Sequence, residues 1–228
     1  MIYRIAERSR GTFAFVMAMC AAFFVLTIAA MLLYPGGSLV QRNGTGYAFF
    51  ENFFSDLGQT HTHSGASNLP SLVLFTIALN ALAIGLAIFF VGFTRLFTES
   101  GRAILLARIA AFAGVISAVS FAGVAFTPWN LYLRAHNEFV TWAFRSFLLA
   151  VVLMIVAIAI ERGFPKRFAW VFAAFAVVLA AYVALLAFGP TLATPQGAKI
   201  QVTGQKIIAY TSVATIFVQA WMARALSP

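Results

Sequence analysis

Charged residues are scarce in this sequence. Only 9% of its 228 residues are Asp, Glu, Lys or Arg, against roughly 25% in an ordinary soluble domain, and 62% are apolar. A chain of this composition has more apolar surface than one water-soluble core can bury. The composition therefore excludes an ordinary soluble globular protein and predicts that lipid covers part of the surface.

Cysteine and acidic residues are also few. The single cysteine, Cys20, lies within the first apolar run, so the chain can form no internal disulfide. Fifteen basic residues against six acidic ones give a formal net charge of +9. In a soluble protein this charge would suggest nucleic acid, but here the basic residues flank apolar runs and form no cluster interleaved with aromatic residues. No nucleic-acid partner is predicted.

Common catalytic motifs are missing as well. The sequence contains no Gly-x-Ser-x-Gly elbow, no His-Glu-x-x-His zinc motif, no Walker loop and no Gly-x-Gly-x-x-Gly dinucleotide loop. Their absence weakens an assignment as an enzyme without deciding the question. No organic cofactor is predicted.

Six apolar runs are long enough to cross a bilayer, since a helix needs about 20 apolar residues to span the hydrocarbon core. The predicted spans cover residues 13–33, 71–93, 103–126, 139–160, 168–188 and 206–225. They predict an all-α integral membrane protein, in which residues 1–228 form a single domain, a bundle of six transmembrane helices.

Basic residues are distributed unevenly about these spans. One side carries nine of the fifteen: Arg4, Arg8, Arg10, Arg95, Arg102, Arg162, Lys166, Arg167 and Arg224. The other side carries three, Arg42, Arg134 and Lys199, and the remaining three lie within or at the ends of spans. Because Lys and Arg in short loops mark the cytoplasmic face, both termini are predicted to be cytoplasmic in a cell membrane. Residues 34–70, 127–138 and 189–205 are then external.

The first external loop is the longest, and its aromatic residues suggest local structure. Within residues 47–54 the phenylalanines follow one another at i, i+1, i+4 and i+5, which is helical spacing. Few of these residues are charged, so we predict a short helix lying in the membrane interface, which Gly58 should end.

All three histidines fall on the predicted external side. His61 and His63 could place two imidazoles on one side of an extended segment, and Asp56, Glu51 or His136 would complete a zinc-like ligand set. This spacing matches no established metal motif, and solvated loop histidines are the alternative interpretation. Zinc is therefore the one metal that the sequence suggests.

Arg145 is the charged residue placed deepest in a predicted span. It lies seven residues after Glu138, about 10 Å deeper at 1.5 Å per residue. A charge at membrane depth costs at least about 2.5–3.5 kcal/mol and usually has a partner. We predict a direct or water-bridged contact between Arg145 and Asp56; snorkelling to the interface is the alternative. The candidate ligand-binding residues are Glu51, Asp56, His136, Glu138, Arg145 and Lys206, the last of which opens the sixth span; a family resemblance adds Asn68, which precedes the second span.

Several short motifs resemble a known family. Ser55-Asp56-Leu57-Gly58, followed by Asn68 before the second span, is similar to the pattern of the bacterial family called domain of unknown function nine-nine-eight. So is Phe126-Thr127-Pro128 at the end of the third span, with His136 opening the fourth. That family is similar to the Frag/DRAM/Sfk membrane proteins. The resemblance covers most of the chain in layout and implies a bacterial inner-membrane protein with six or so spans and a site at the Ser-Asp loop, but no activity.

A fainter resemblance concerns the alkaline ceramidase group. Glu51-Asn52 and Ser67-Asn68-Leu69 are similar to segments of that group. Its zinc-binding histidine pair in a late helix is missing, because no histidine follows His136. A ceramidase-type hydrolase is therefore not expected.

Two main functions are consistent with these patterns. In the first, the protein binds or moves a lipid or other amphiphile through a cavity open to the external leaflet, so that membrane lipids are its partners. Arg145 beside the aromatic-rich loop motivates this hypothesis. In the second, Asp56 and the histidines, with or without a metal, serve an externally facing hydrolase. A structural or partner-binding membrane subunit is the third possibility.

Overall fold

The computed structural model describes residues 2–226 and is built from helices. These are α1 (Ile2–Arg8), α2 (Arg10–Leu32), a 3-10 helix (Phe54–Gly58), α3 (Leu69–Thr94), α4 (Gly101–Phe126), α5 (Trp129–Ile160), α6 (Arg167–Phe188) and α7 (Pro195–Arg224). The described residues contain no strand, only an isolated antiparallel bridge between His61 and Ser67. The predicted all-α fold class is confirmed.

Six helices, α2 to α7, are long and apolar enough to cross a membrane. Their most apolar windows have mean hydropathies between 1.2, in α7, and 2.7, in α6. Each predicted span lies within or overlaps one of them. The chain is therefore a multi-pass helical membrane protein, and an even number of crossings leaves both of its ends on the same side.

Two helices begin earlier than the apolar runs predicted. α5 starts at Trp129 and α7 at Pro195, so most of residues 127–138 and 189–205 is helical rather than loop. At the start of α7 the Thr194 hydroxyl accepts a hydrogen bond from the Gly197 N–H at 3.1 Å, which caps the helix before any apolar run begins. Hydropathy detects the membrane-embedded part of a helix, and capping decides where the helix starts.

The six long helices pack in chain order around a common core. Each contacts the next along the chain, and α7 returns to pack against α2, which closes the ring. Phenylalanines fill the end that carries the chain termini: the Phe93 ring of α3 lies 5.7 Å from Phe168 and 6.1 Å from Phe172 of α6, between ring centroids. This packing leaves polar residues and open space to the opposite end, which we call the loop end because residues 33–68 cover it.

A buried carboxylate closes the end that carries the termini. Glu161 accepts hydrogen bonds from the backbone N–H groups of Thr98, Glu99 and Ser100 at 2.7–3.0 Å. These donors precede α4, so Glu161 joins the connection before α4 to the connection after α5. Charge-assisted bonds of this kind are among the stronger ones in proteins, which suits a structural role.

Candidate functional site

The long loop at the loop end is folded against the bundle, but its short helix is not where the sequence predicts it. Residues 48–52 form a turn in which the Ala48 N–H donates to Asn52 Oδ1 at 2.9 Å. Phe53 is then extended, with ψ at 153°, and the 3-10 helix Phe54–Gly58 follows. The prediction of a helix over 47–54 is wrong, because the N–H groups of Phe53 and Phe54 donate to side chains, Asp56 Oδ2 and Gln205 Oε1, and not to the carbonyls one turn earlier. Gly58 ends the helix as predicted.

The phenylalanines of this loop are not buried together. The side chains of Phe49 and Phe50 are 40% and 55% exposed, whereas Phe54 is 4% exposed. The Phe54 ring stacks on Phe23 of α2 at 5.7 Å between centroids. Phe54 is thus the aromatic anchor of the loop, and the two exposed rings are available to lipid.

Asp56 is the centre of a buried hydrogen-bond network, and its side chain is 0% exposed. The Asn52 side-chain amide and the Phe53 N–H donate to Oδ2, each at 2.9 Å. The Gln59 amide and the Trp129 indole N–H donate to Oδ1 at 3.1 and 3.2 Å. Four N–H groups therefore stabilise the carboxylate and tie the loop to α5.

Asn68 and Ser71 hold the other face of the 3-10 helix. The Asn68 side-chain nitrogen donates to the carbonyl oxygens of Asp56, Leu57 and Gln59 at 3.0–3.3 Å, and the Ser71 hydroxyl donates to Leu57 at 3.1 Å. These carbonyls lie at the end of the helix, where few backbone donors are available to them. Asn68, a predicted ligand-binding residue, is here a clamp on the backbone.

Lys206 reaches the same network from α7. Its buried ammonium donates to the Asn52 carbonyl oxygen and lies 5.2 Å from the ring centroid of Tyr47 and 5.1 Å from that of Phe49. Asn52 in turn donates to Asp56, so one asparagine connects two buried ionisable side chains. Sequence reasoning did not select Asn52, which it placed within the predicted helix and in the ceramidase resemblance without giving it a role of its own.

Two tyrosines of the long loop, Tyr34 and Tyr47, also belong to this hydrogen-bond network. The Tyr47 hydroxyl donates to the Phe53 carbonyl at 3.0 Å, and the Tyr34 hydroxyl donates to the Gly37 carbonyl at 3.1 Å. Burial raises the pKa of both hydroxyls above the usual 10.0, and the negative charge of Asp56 raises each pKa further. Both tyrosines therefore stay protonated and remain donors.

Glu51, another predicted ligand-binding residue, bonds within the long loop. Its Oε2 accepts a hydrogen bond from the Ser38 hydroxyl at 3.1 Å.

Arg145 is not part of this network. Its side chain is exposed on the outer face of α5, and no ion pair joins it to Asp56 within 4.0 Å. The predicted direct contact is wrong, because Phe144 and Ser146 occupy the buried face and rotate Arg145 outward. Glu138, two turns earlier, is exposed on α5 as well. Asp56 needs no arginine, since N–H donors already fill its lone pairs.

The two loop histidines have different surroundings. His61 is exposed, and its ring lies beside the Thr60 hydroxyl at 3.3 Å. His63 Nε2 lies 3.5 Å from Asp56 Oδ2, and its ring packs on Trp129 at 5.6 Å between centroids. Within residues 2–226 no three His, Cys, Asp or Glu side chains are arranged to hold a metal ion. Zinc binding at His61 and His63 stays a prediction.

An open cleft with a volume of about 460 Å³ lies beside this network, between α5, α6, α7 and the long loop. A smaller inner pocket of about 50 Å³ extends from it between α3, α4, α5 and α7. We call these the loop-end cleft and the inner pocket. Phe53, Leu133 and Leu186 contribute to the apolar lining of the cleft, and His63 and Trp129 join it to the Asp56 network. The four residues that line both cavities are Ser55, His136, Val140 and Gln205.

His136 is held in one orientation at the junction of the two cavities. Its Nδ1 lies 2.7 Å from the Thr127 carbonyl oxygen. A carbonyl oxygen can only accept, so Nδ1 carries the proton, and in the neutral ring Nε2 is an acceptor. Of the predicted ligand-binding residues, His136 lines the loop-end cleft and the inner pocket, whereas Asp56, Asn68 and Lys206 are buried and line neither.

Comparison of the chain with family models, with curated proteins and with solved structures finds no match. The chemistry of the site is therefore argued from its own geometry.

Proposed function

We propose that this protein binds a lipid or other amphiphile in the loop-end cleft. The observation that carries the proposal is a cleft of about 460 Å³ at one end of a membrane-spanning bundle, lined by eight apolar or aromatic side chains and seven uncharged polar ones. Ligand sites are typically about 300–1,000 Å³ and combine an apolar lining with a few placed polar groups. Membrane lipids are then the natural partners.

The rim of the cleft supports access from the bilayer. Leu133, Leu186 and Leu192 line it and are 55%, 39% and 47% exposed, so their side chains offer an apolar path from lipid into the cleft. Among the polar lining residues, Ser55 and His136 also line the inner pocket. An amphiphile could enter with its apolar part still in contact with hydrocarbon, which avoids exposing that part to water.

Membership of the family called domain of unknown function nine-nine-eight is part of this proposal. Ser55-Asp56-Leu57-Gly58 forms the 3-10 helix behind the cleft, Asn68 clamps that helix and His136 lines the cleft. The motif residues of the resemblance thus meet at one place. We also propose that the loop end faces outward in a cell membrane, because the termini end carries most of the basic residues.

Trp129 offers a direct test of binding. The other three tryptophans, Trp142, Trp170 and Trp221, are exposed and can be changed to Phe, which leaves the cleft tryptophan as the sole indole fluorophore. The single-tryptophan protein is reconstituted in phosphatidylcholine nanodiscs and titrated with dibrominated amphiphiles, whose bromines quench at contact. Saturable quenching at low mole fraction is the expected result.

A matched pair of variants locates the binding. Thr141→Phe narrows the cleft and should weaken the saturable quenching, whereas Leu149→Phe, on the exposed face of the same helix, should leave it unchanged. Quenching that rises only in proportion to mole fraction, equally in both variants, would mean contact with bulk lipid and would refute the proposal.

One contact favours a second candidate function, an externally facing hydrolase. His63 lines the cleft with its Nε2 3.5 Å from Asp56 Oδ2, and Ser55 lines the same cleft. A carboxylate-oriented histidine is a recurrent general base. Fluorogenic esters of several chain lengths would be assayed with His63→Gln and, as control, His61→Gln, alongside metal analysis of the purified protein. Equal rates of ester hydrolysis in the two variants would show that His63 is not the general base.

A further inference from the structure

We infer that the ligand of the loop-end cleft is an uncharged, single-chain amphiphile that carries a hydroxyl group, with its headgroup in the inner pocket. This inference rests on the proposed function and specifies the chemistry of the bound molecule. It is carried by the charge, the hydrogen-bond roles and the relative sizes of the two cavities.

Charge excludes most membrane headgroups. None of the side chains that line either cavity in the described residues belongs to Asp, Glu, Lys or Arg. The nearby Asp56 and Lys206 are buried behind the wall and take their hydrogen bonds from the protein itself. A phosphate, carboxylate or ammonium group bound there would lose its hydration without gaining an opposite charge, which is costly.

His136 selects for a donor. Its Nδ1 is committed to the Thr127 carbonyl at 2.7 Å, so the neutral ring presents Nε2 as an acceptor, and this ring lines both cavities. A hydroxyl group on the ligand can donate to Nε2. An ester or ether oxygen alone cannot, because it has no proton to donate.

Ser212 supplies the complementary donor. Ser212 is one of the residues that line the inner pocket and is 3% exposed, and its buried hydroxyl makes no hydrogen bond to any residue that the structure describes. A buried hydroxyl without a partner costs about 1–3 kcal/mol, so native structures rarely leave one unsatisfied. An oxygen of the headgroup that accepts from Ser212 removes this cost.

The sizes of the two cavities indicate where the headgroup and the hydrocarbon chain of the ligand lie. The inner pocket, at about 50 Å³, admits a small headgroup, and the loop-end cleft, at about 460 Å³, continues outward along leucine side chains. The cleft is near the lower end of the usual range of about 300–1,000 Å³, which suits one chain better than two. A monoacylglycerol or a long-chain alcohol has this form.

The test uses the same single-tryptophan protein in phosphatidylcholine nanodiscs. Dibrominated monoacylglycerol, the fatty acid of the same chain at pH 8 and the lysophosphatidylcholine of the same chain are compared by half-saturating mole fraction. We expect the monoacylglycerol to quench Trp129 at a mole fraction roughly tenfold lower than either charged amphiphile.

One serine variant and one threonine control distinguish an effect on ligand binding from an effect on folding. Ser212→Ala should raise the half-saturating mole fraction of monoacylglycerol by roughly threefold to tenfold, the worth of one hydrogen bond. Thr211→Ala is the control, because that hydroxyl donates to the Ile207 carbonyl of its own helix at 2.7 Å and lies outside both cavities. Thr211→Ala should keep the melting temperature of the parent, and Ser212→Ala should not lower it, because it removes a buried hydroxyl that has no partner in the protein.

The outcomes distinguish the inference from the proposed function. Saturable quenching with the same half-saturating fraction for all three headgroups, or an unchanged fraction in Ser212→Ala, would overturn the inference and leave amphiphile binding standing. Absence of saturable quenching by every amphiphile would overturn both. Tighter binding of the fatty acid or of the lysophosphatidylcholine would contradict the inference of an uncharged headgroup and would indicate that the ligand is charged.

Discussion

Asp56 shows how a single buried carboxylate can organise a loop without a nearby arginine. Its two oxygens accept from Asn52, Phe53, Gln59 and Trp129, all uncharged donors. Buried anions are tolerated when several N–H groups point at them. The position of Asp56 in the Ser-Asp loop made it a candidate from the sequence. Its four donors are spread over 78 residues of chain, from Asn52 to Trp129, so the sequence alone does not identify them.

Replacing this carboxylate should destabilise the protein. Asp56→Asn substitutes an amide nitrogen for one acceptor, so a donor then faces a donor in a buried site. We expect a loss of roughly 3 kcal/mol, at the upper end for an unsatisfied buried polar group. Thermal unfolding in detergent measures the loss. Glu138→Gln, at an exposed position, should shift stability by no more than about 0.5 kcal/mol, and an equal effect of the two changes would contradict this role for Asp56.

Helix α7 anchors the long loop through Lys206. The ammonium donates to the Asn52 carbonyl and lies against the rings of Tyr47 and Phe49, so the loop is held from the bundle side. A hydrogen bond that involves a charged group contributes about 1.5–3 kcal/mol. Lys206 should therefore contribute substantially to holding residues 47–52 against the bundle, beside the contacts of Phe54 and Asp56.

Lys206→Met should loosen the loop. Chymotrypsin cleaves after Phe49 and Phe50, whose rings are already exposed, once the backbone opens. The open population should rise by roughly tenfold or more, and cleavage should accelerate in proportion. Lys199→Met, an exposed lysine on the same helix, serves as the control. Equal cleavage rates in the two variants would show that the loop is held by other contacts.

Close packing of α3 on α4 depends on a glycine. A Cβ at Gly114 would meet the Phe90 ring closer than carbon atoms can approach, and Phe90 is fully buried between Phe89 and Phe147. Gly114→Ala should cost about 1–3 kcal/mol through overpacking. Gly11→Ala, in the first turn of α2 with nothing within 4 Å of the added carbon, should instead be neutral or gain up to about 1 kcal/mol. Melting temperatures of the two variants test the contrast.

At the scale of the whole molecule, the orientation in the membrane decides which side of the membrane the loop-end cleft faces. Reporter fusions after residues 10, 97 and 224 should read cytoplasmic, and fusions near residues 44, 133 and 196 should read external, because the basic residues concentrate on the first side. Paired reporters active on opposite sides of the membrane measure this. One fusion on the unexpected side would require a different number of spans or the opposite orientation, and the opposite orientation would turn the cleft towards the cytoplasm.

The sequence by itself determined the six membrane-spanning helices and the fold class. These follow from local properties, since each span is a continuous apolar run and needs no knowledge of its neighbours. The candidate residues Asp56, Asn68, His136 and Lys206 were also found from the sequence, because polar residues at membrane boundaries are few.

Only the tertiary structure decided what those residues do. The face of α5 on which Arg145 lies depends on which side packs against the bundle, and Phe144 and Ser146 take that side. The helix that the phenylalanine spacing favours does not form, because Asp56 and Gln205 accept the N–H groups of Phe53 and Phe54. The cleft forms where α5, α6 and α7 meet the loop, so no single segment encodes it. Local patterns specify the helices, and the pockets between helices are a property of their packing.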